Sequence, residues 1–290
     1  MTQSPSPDCS LRIGFQGEEH SYSHRATGEL FPGAPSRGFP SFGAAFSALA
    51  DGLVDRLVLP IENSTTGSVL EVLDRLTAAD ASIAAEHLVR VSHALLGRPG
   101  ARLEDVRRVL SHPEALAQAR DLLAARGWTP VPVGDTAGAV REVAARGDPA
   151  EAALAPPESG PPHGLEPLLS DVADRAHNTT RFVVLVPGSP TVGPDNDKTS
   201  LAFSTEHRPG ALALAITELG LRGANLTRIE SRPTDTAWSY RFYVDLIHQP
   251  GPQGLARILH PRPSAMNDLI HLGTFRSKNG GGAAVPGTIV

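Results

Sequence analysis

The chain has 290 residues, with 26 lysines and arginines against 31 aspartates and glutamates. This balance offers no basic excess, so we expect neither nucleic acid nor a membrane surface as a partner. The single cysteine, Cys9, excludes an intrachain disulfide framework and a cysteine-based metal cluster. Together with the absence of a signal-like or membrane-spanning apolar stretch, it favours a cytoplasmic location.

Turn-forming residues divide the sequence into two domains. Residues 188–198 are rich in proline, glycine and aspartate, so we predict a linker there. The predicted domains are residues 11–187 and 199–277. Residues 1–10 and 278–290 carry no apolar periodicity and are predicted to be disordered tails.

The first domain alternates short apolar runs with helical patterns. The runs lie at residues 12–15, 57–59, 108–110, 131–133 and 182–186. Between them, apolar residues recur at helical spacing from Val69 to Leu76, from Leu116 to Leu123 and from Ala137 to Val143. Strands that alternate with helices predict an α/β domain with a largely parallel sheet.

The second domain shows a different order. Strands are predicted at residues 200–204, 225–231, 240–247 and 269–275, and helices at 211–221 and 254–259. This is the βαββαβ arrangement.

Polar residues follow three of the predicted strands in the first domain. They lie in the segments 60–68, 111–113 and 134–136, the first of which includes the cluster Glu62–Ser64. Carboxyl ends of parallel strands bind ligands in open α/β sheets, and helix N-termini there favour anions. The alternative is that Ser64, Ser111 and Asp135 only cap helices.

A second polar segment, Asn178–Phe182, leads directly into an apolar strand. The Arg181 guanidinium beside two hydroxyls and an amide suits the binding of a carboxylate. Tyr22 and Ser23 could line the same crevice. The alternative is an exposed strand start with a solvated arginine.

Other patterns bear on cofactors and effectors. His20 and His24 have no third ligand at metal-site spacing, and no glycine-rich nucleotide fingerprint is present, so we expect neither a metal nor an organic cofactor. In the second domain, the turn at 208–212 and the charged strand 225–233 could bind a zwitterion such as an amino acid. The alternative is a solvated sheet edge.

Taken together, these segments resemble the prephenate dehydratase family followed by an ACT regulatory domain. The resemblance covers residues 11–277. It is carried by the segments FQG (15–17), YS (22–23), PIENS (60–64), GS (67–68), SHP (111–113), DTA (135–137), NTTRF (178–182), PGAL (209–212) and ESRP (230–233).

The resemblance implies a catalytic α/β domain of two subdomains with a cleft, similar to periplasmic binding proteins, and a ferredoxin-like ACT domain. The implied reaction converts prephenate to phenylpyruvate with loss of CO₂ and water, without metal or cofactor. The implied effector is L-phenylalanine, and the implied assembly is a homodimer or homotetramer.

The resemblance also assigns roles to residues. Thr180 is the implied essential hydroxyl, and Glu62 is a second candidate acid if burial raises its pKa. The other implied catalytic residues are Arg181, Phe182, Asn178, Asn63 and Ser64. The implied substrate-binding residues are Tyr22, Ser23, Gly67, Ser68, Ser111, His112 and Thr136. The implied effector-binding residues are Gly210, Ala211, Leu212, Asn225, Leu226, Glu230, Ser231, Arg232 and Pro233.

The sequence departs from the family pattern at three places, and three alternative functions are open. His20–Ser21 stands where the family has Gly-Ala, the prolines of 156–163 oppose a regular helix, and Pro261 and Pro263 shorten the second ACT helix. The alternative functions are an arogenate dehydratase, a prephenate decarboxylase, which the presence of Thr180 disfavours, and a non-catalytic amino-acid sensor.

Overall fold

The computed structural model describes residues 11–172, 178–234, 236 and 238–278. The predicted tails 1–10 and 278–290 therefore lie outside the described residues, apart from Lys278. The chain divides into two compact units. Unit 1 contains the chain up to Val72 and the segment Leu88–Phe182, and unit 2 contains Leu73–His87 and the chain from Val183 onward.

Unit 1 opens with a parallel sheet built from strand–helix repeats. Strand β1 pairs in parallel with β2 and β3. The side chains of Ser21 and Ser41 cap the N-termini of the helices that follow β1 and β2. The elements in chain order are β1 (Ile13–Gln16), α1 (Tyr22–Leu30), β2 (Ser36–Phe39), α2 (Phe42–Ala50), β3 (Arg56–Asn63) and β4 (Gly67–Ser68). They are followed by α3 (Leu70–Ala78) and β5 (Ala81–Arg90), most of whose residues belong to unit 2.

A second sheet of unit 1 contains five strands in the order β10-β6-β9-β7-β8. Neighbouring residues of its central strands belong to two separate apolar clusters, so both faces are covered. Its elements are β6 (Ala94–Gly97), β7 (Arg108–Ser111), α4 (Pro113–Gln118), α5 (Arg120–Arg126), β8 (Thr129–Pro132), α6 (Thr136–Arg146), β9 (Glu151–Ala155) and β10 (Glu166–Leu169).

Two details of this sheet's connections differ from a regular α/β pattern. The helix predicted through Leu116–Leu123 is divided in two, because the backbone leaves helical geometry at Ala119. The proline-rich stretch 156–163 forms two 3₁₀ turns, Pro157–Ser159 and Pro161–His163, in place of a regular helix, as its prolines predict.

Strand β11 (Thr179–Pro187) carries the chain from unit 1 into unit 2, where the predicted βαββαβ order is observed. The elements are β12 (Lys198–Ser204), α7 (Ala211–Leu221), β13 (Asn225–Pro233), β14 (Tyr240–Ile247), α8 (Gly251–Leu259) and β15 (Asn267–Phe275). Strand β12 pairs antiparallel with β14 and β15, and β13 forms the edge. Helix α8 ends two residues before Pro261, since proline opposes helical backbone.

The compact units divide the chain at other places than the predicted domains. Residues 188–197 form neither helix nor strand, and Lys198 begins β12. However, Leu73–His87 belongs to unit 2 although it lies in the middle of the first predicted domain. The reason is strand pairing, because Ile83 of β5 pairs with Gly273 of β15.

Candidate active site

Unit 1 contains a cavity of about 250 Å³ whose floor is made from strand ends of the first sheet. Residues 91 and 93 line the cavity, and so do residues 178 and 180. In each pair the residues are two positions apart, as expected for side chains on one face of an extended backbone. The helices that follow β7 and β8 contribute residues along the whole of α4 and at the start of α6. The lining residues are Tyr22, Asn63, Val91, His93, His112, Glu114, Ala115, Gln118, Asp135, Thr136, Asn178 and Thr180.

Backbone hydrogen bonds fix the order of these segments. The Val91 amide donates to the Asn178 carbonyl at 2.8 Å, and the Ser64 amide donates to the Thr179 carbonyl at 2.9 Å. The start of β11 therefore lies between the segment that follows β5 and the end of β3. This pairing brings Asn63 and Thr180 together from positions 117 residues apart.

Three amide side chains and Thr180 form one hydrogen-bonded chain. Asn63 Nδ2 donates to Thr180 Oγ1 at 2.9 Å and to Asn178 Oδ1 at 2.7 Å. Asn178 Nδ2 in turn donates to Gln118 Oε1 at 2.8 Å. The orientation of Asn63 is fixed from its other side, because Asn63 Oδ1 accepts hydrogen bonds from Thr65 N and Oγ1.

This chain determines the direction of the Thr180 hydroxyl. Its oxygen accepts from Asn63, so its own proton is left to donate elsewhere. Because Thr180 lines the cavity, that proton is available to a ligand bound there. Gln118 accepts through Oε1, so its amide nitrogen is likewise available as a donor.

An aromatic pair forms another part of the wall. The Tyr22 hydroxyl donates to the Ser92 carbonyl, and the Tyr22 and His93 rings meet edge to face with centroids 5.8 Å apart. Burial raises the pKa of the Tyr22 phenol, so it is a neutral donor. Burial also lowers the pKa of His93 to about 4, so this imidazole is neutral near pH 7.

The N-cap residues of two helices also line the cavity. His112 caps α4, with Nδ1 accepting from the Glu114 amide at 3.3 Å. Asp135 caps α6, with Oδ1 accepting from the Gly138 amide at 2.5 Å. The capping alternative is therefore confirmed for Asp135, which also lines the cavity together with Thr136.

The capping alternative is wrong for two serines. Helix α3 begins at Leu70, too far from Ser64 for capping, and Ser64 Oγ instead accepts from the Thr179 amide at 3.0 Å. Ser111 is buried and its Oγ donates to the Leu154 carbonyl at 2.5 Å. Neither serine is among the residues that line the cavity.

Arg181 and Glu62 are placed differently from the sequence expectation. They form an ion pair at 3.0 Å, and neither lines this cavity. Strand alternation turns Arg181 away from the face that Thr180 shares with the cavity. The Glu62 side chain is about one-third exposed and accepts a hydrogen bond from the Arg181 guanidinium.

The other predicted residues of this region also lie outside the cavity lining. Phe182 is 1% exposed and belongs to the apolar core. Ser23 lines a second cavity of unit 1, which shares Asp135 and Thr136 with the first. Gly67 and Ser68 form β4, which pairs with the end of β3.

Several lining residues were not predicted from the sequence. These are Val91, His93, Glu114, Ala115 and Gln118. Two sequence patterns could have identified four of them. Val91 and His93 have strand spacing, and Glu114 and Gln118 are four residues apart on the helix that follows His112.

Unit 2 contains a cavity of about 610 Å³ at the start of α7. Its lining includes three of the predicted effector-binding residues, Gly210, Ala211 and Leu212. Trp238 and Phe242 also line it. The other predicted effector residues lie on β13 and are not part of its lining. These are Asn225, Leu226, Glu230, Ser231, Arg232 and Pro233.

Two of these β13 residues have structural partners within unit 2. Leu226 packs against the apolar core, and Arg232 pairs with Asp74 at 2.5 Å. Within the described residues, no group of three histidine, cysteine, aspartate or glutamate side chains could hold a metal ion. No helix in the same residues is long and apolar enough to cross a bilayer.

Comparison with known proteins assigns the chain to a family. The family model described as prephenate dehydratase matches residues 13–189. The prephenate dehydratase of Mycolicibacterium vanbaalenii is 39% identical over 254 residues, covering 85% of this chain and 80% of the relative. The arogenate dehydratase/prephenate dehydratase 2 of Arabidopsis thaliana is 37% identical over 260 residues, covering 84% and 67%.

A solved structure agrees with this match over most of the chain. The prephenate dehydratase of Arthrobacter aurescens, solved in complex with L-Phe, superposes with a TM-score of 0.79 at 28% identity. The match covers 92% of this chain and 90% of that one. The chain belongs to the prephenate dehydratase family.

Proposed function

We propose that this chain converts prephenate to phenylpyruvate, CO₂ and water, as a step in L-phenylalanine biosynthesis. It is a decarboxylating carbon–oxygen lyase. The observation that carries the proposal is the Thr180 hydroxyl, whose oxygen accepts from Asn63 and whose proton is available to a ligand in the cavity.

The reaction needs a positioned donor more than a strong acid. The bond between the ring and its carboxylate breaks, the electron pair moves into the ring, and the C4–O bond breaks. Hydroxide leaves and takes up a proton to become water. Aromatisation drives these changes, so orientation and stabilisation of the departing oxygen are what the protein must supply.

Thr180 is suited to this task. A threonine hydroxyl does not ionise near neutral pH, so it acts as a hydrogen-bond donor to the C4 oxygen. Neutral donors in the same cavity, the Gln118 amide and the Thr136 hydroxyl, would hold the substrate carboxylates. Arg181 is left out of this role, because its guanidinium pairs with Glu62.

The test is the Thr180→Ala variant. We expect kcat to fall by about 10²–10³-fold, because one donor to the developing charge is lost, while the circular dichroism spectrum stays that of the folded protein. Phenylpyruvate formation is followed by its ultraviolet absorbance in alkali. Thr179→Ala is the matched control, since Thr179 contacts Ser64 through backbone atoms.

A variant that keeps full activity, or a variant that unfolds, would contradict the role of Thr180. Failure of the unmodified protein to consume prephenate would contradict the proposed function as a whole. It would favour arogenate as the substrate or, if arogenate is not consumed either, the sensor alternative. Consumption with loss of CO₂ but without an aromatic product would identify a decarboxylase.

The second candidate is an arogenate dehydratase. The observation in its favour is that the Arabidopsis relative is named for both substrates. Arogenate differs from prephenate by an amino group in place of the ketone, and its product is phenylalanine itself. Product analysis with each substrate separates the two functions.

We propose further that residues 199–277, within unit 2, form an ACT regulatory domain that binds L-phenylalanine. The Arthrobacter relative was solved with L-Phe, and unit 2 offers a cavity lined by aromatic rings and by the start of α7. Gly210 caps α7 at a φ of 80° with no side-chain hydrogen bond, which suits the approach of a carboxylate. Repeating the turnover assay with added L-phenylalanine tests this, and inhibition is expected.

We also propose that the active form is a homodimer or homotetramer in the cytoplasm. The Gly210–Leu212 segment lines the unit 2 cavity, whereas the predicted effector residues of β13 do not. Strand β13 is a sheet edge, so a second copy could bring its own β13 to this cavity. Sedimentation with and without L-phenylalanine tests the assembly.

A further inference from the structure

The floor of the unit 1 cavity has two ends. Asn63 lies on one side of β11 and the segment with Val91 and His93 lies on the other, as the backbone hydrogen bonds of Val91 and Ser64 require. Two strand spacings separate these sides, or about 10 Å. A substrate whose leaving hydroxyl lies at Thr180 and Asn63 would therefore extend toward His93.

The state of the His93 ring follows from its surroundings. The side chain is buried, at 5% exposure. Its Nδ1 is inaccessible to solvent and has no hydrogen-bond partner among the residues that the structure describes. Of the two ring nitrogens, only Nε2 can therefore reach the cavity that His93 lines.

The buried position also selects the tautomer. A buried N–H group without an acceptor is costly and rare in proteins. The single proton of the neutral ring is therefore expected on Nε2, which makes His93 a hydrogen-bond donor toward the cavity. Tyr22 packs edge-on against the ring and holds its orientation.

The two candidate substrates differ at the end of the molecule that reaches His93. In prephenate, the carbon opposite the C4 hydroxyl carries a side chain with a ketone, which accepts hydrogen bonds. In arogenate, an ammonium group replaces the ketone, and an ammonium only donates.

We propose that His93 determines the substrate specificity of this site by donating a hydrogen bond from Nε2 to the ketone of prephenate and opposing the ammonium of arogenate. The assignment rests on the proposed function, because it requires turnover of one of these two substrates. When two hydrogen-bond donors, His93 Nε2 and the arogenate ammonium, face each other in a buried site, neither has an acceptor. Such a mismatch discriminates strongly between two substrates.

The experiment measures kcat/KM for prephenate and for arogenate with the unmodified protein and with His93→Gln. We expect the unmodified protein to favour prephenate by a factor on the order of 10². Glutamine offers a carbonyl acceptor as well as an amide donor, so the ratio should shift toward arogenate by about tenfold or more.

His112→Gln is the matched control, since it replaces another histidine that lines the same cavity. It is expected to lower both values of kcat/KM together and to leave their ratio unchanged. A residue with only a structural role would behave in the same way, so the ratio separates specificity from structural support.

A second measurement uses the unmodified protein and does not depend on the folding of a variant. Nitrogen-15 NMR of histidine-labelled protein at pH 7 should show His93 as the neutral tautomer with the proton on Nε2. Addition of phenylpyruvate, which keeps the ketone side chain, should shift that nitrogen resonance.

The outcomes separate the proposed function from the role of His93. Turnover of neither substrate overturns the proposed function, and the assignment of His93 falls with it. Turnover of prephenate with an unchanged ratio in His93→Gln, a preference of the unmodified protein for arogenate, or a proton on Nδ1 each overturn the role of His93 and leave the proposed dehydratase reaction in place.

Discussion

The cavity wall of unit 1 and the core of unit 2 bury polar groups in different ways. The cavity wall of unit 1 joins neutral groups, with Asn63 donating to Thr180 and Asn178. The core of unit 2 instead contains ion pairs, such as Lys198 with Glu86 at 2.8 Å, whose side chains are 8% and 2% exposed. A neutral network is cheaper to desolvate and keeps each proton on a defined atom.

The comparison shows what each arrangement is suited for. Burying an ion pair costs desolvation free energy, and removing either partner destabilises the fold because the other charge stays buried. The pair therefore favours the one strand arrangement that brings both partners together. A chain of amides next to a cavity can present a hydroxyl proton in a fixed direction without placing a charge beside an anionic substrate. The following changes test this contrast.

The largest effect on stability is expected from Lys198→Met in unit 2. The change leaves the Glu86 carboxylate buried without its ammonium partner, which is expected to lower the free energy of unfolding by about 3–5 kcal/mol. Urea denaturation measures this. In the double variant Lys198→Met with Glu86→Leu, most of the loss should be recovered, and a double variant as unstable as the single one would contradict this explanation.

Much of the fold could be predicted from the sequence because apolar runs between turn formers identify strands. This applies to β1, β3, β7 and the whole βαββαβ order of unit 2. Strand β5 was missed, since its residues 81–90 mix alanines with glutamate, histidine and arginine. Its assignment to unit 2 depends on a pairing with β15 that no local pattern encodes.

The candidate site was predictable in part. Thr180 and Asn63 were expected there, but their hydrogen bond joins residues 117 positions apart and depends on strand order. Gln118 likewise meets Asn178 only through the packing of α4. The position of Arg181 could have been predicted, because a strand that turns Thr180 toward the cavity turns its neighbour the other way.

A smaller effect on stability is expected from acidification. His93 has a pKa of about 4 in the folded protein against an ordinary value of 6.5, because burial opposes its charge. The unfolded chain therefore binds more protons between these values. The contribution is fully present above pH 6.5 and is lost as the pH falls to about 4, by about 3 kcal/mol.

Unfolding measured by urea at several pH values tests this dependence, with His93→Gln as the comparison. The variant should lose the His93 contribution and keep that of His248 and His271, whose pKa values burial also lowers. Identical slopes for variant and unmodified protein between pH 4 and 6.5 would contradict the neutral, buried state of His93.

The smallest effect on stability is expected from Asn63→Asp in unit 1, which keeps the shape of the side chain and removes its donor. The carboxylate can no longer donate to Thr180 or Asn178, so the free energy of unfolding should fall by about 1–3 kcal/mol. The Thr180 hydroxyl would turn to donate to the new carboxylate. Activity should therefore fall nearly as far as in Thr180→Ala.

Thr65→Ala is the control for this change, because it removes one donor to Asn63 Oδ1 and leaves the donors of Asn63 in place. Its kcat should stay close to that of the unmodified protein. If the neutral network orients a proton, Asn63→Asp should lose much activity for little stability. If the ion pair supports a strand arrangement, Lys198→Met should lose much stability for little activity. Full activity of Asn63→Asp would mean that the direction of the Thr180 proton is not set by Asn63.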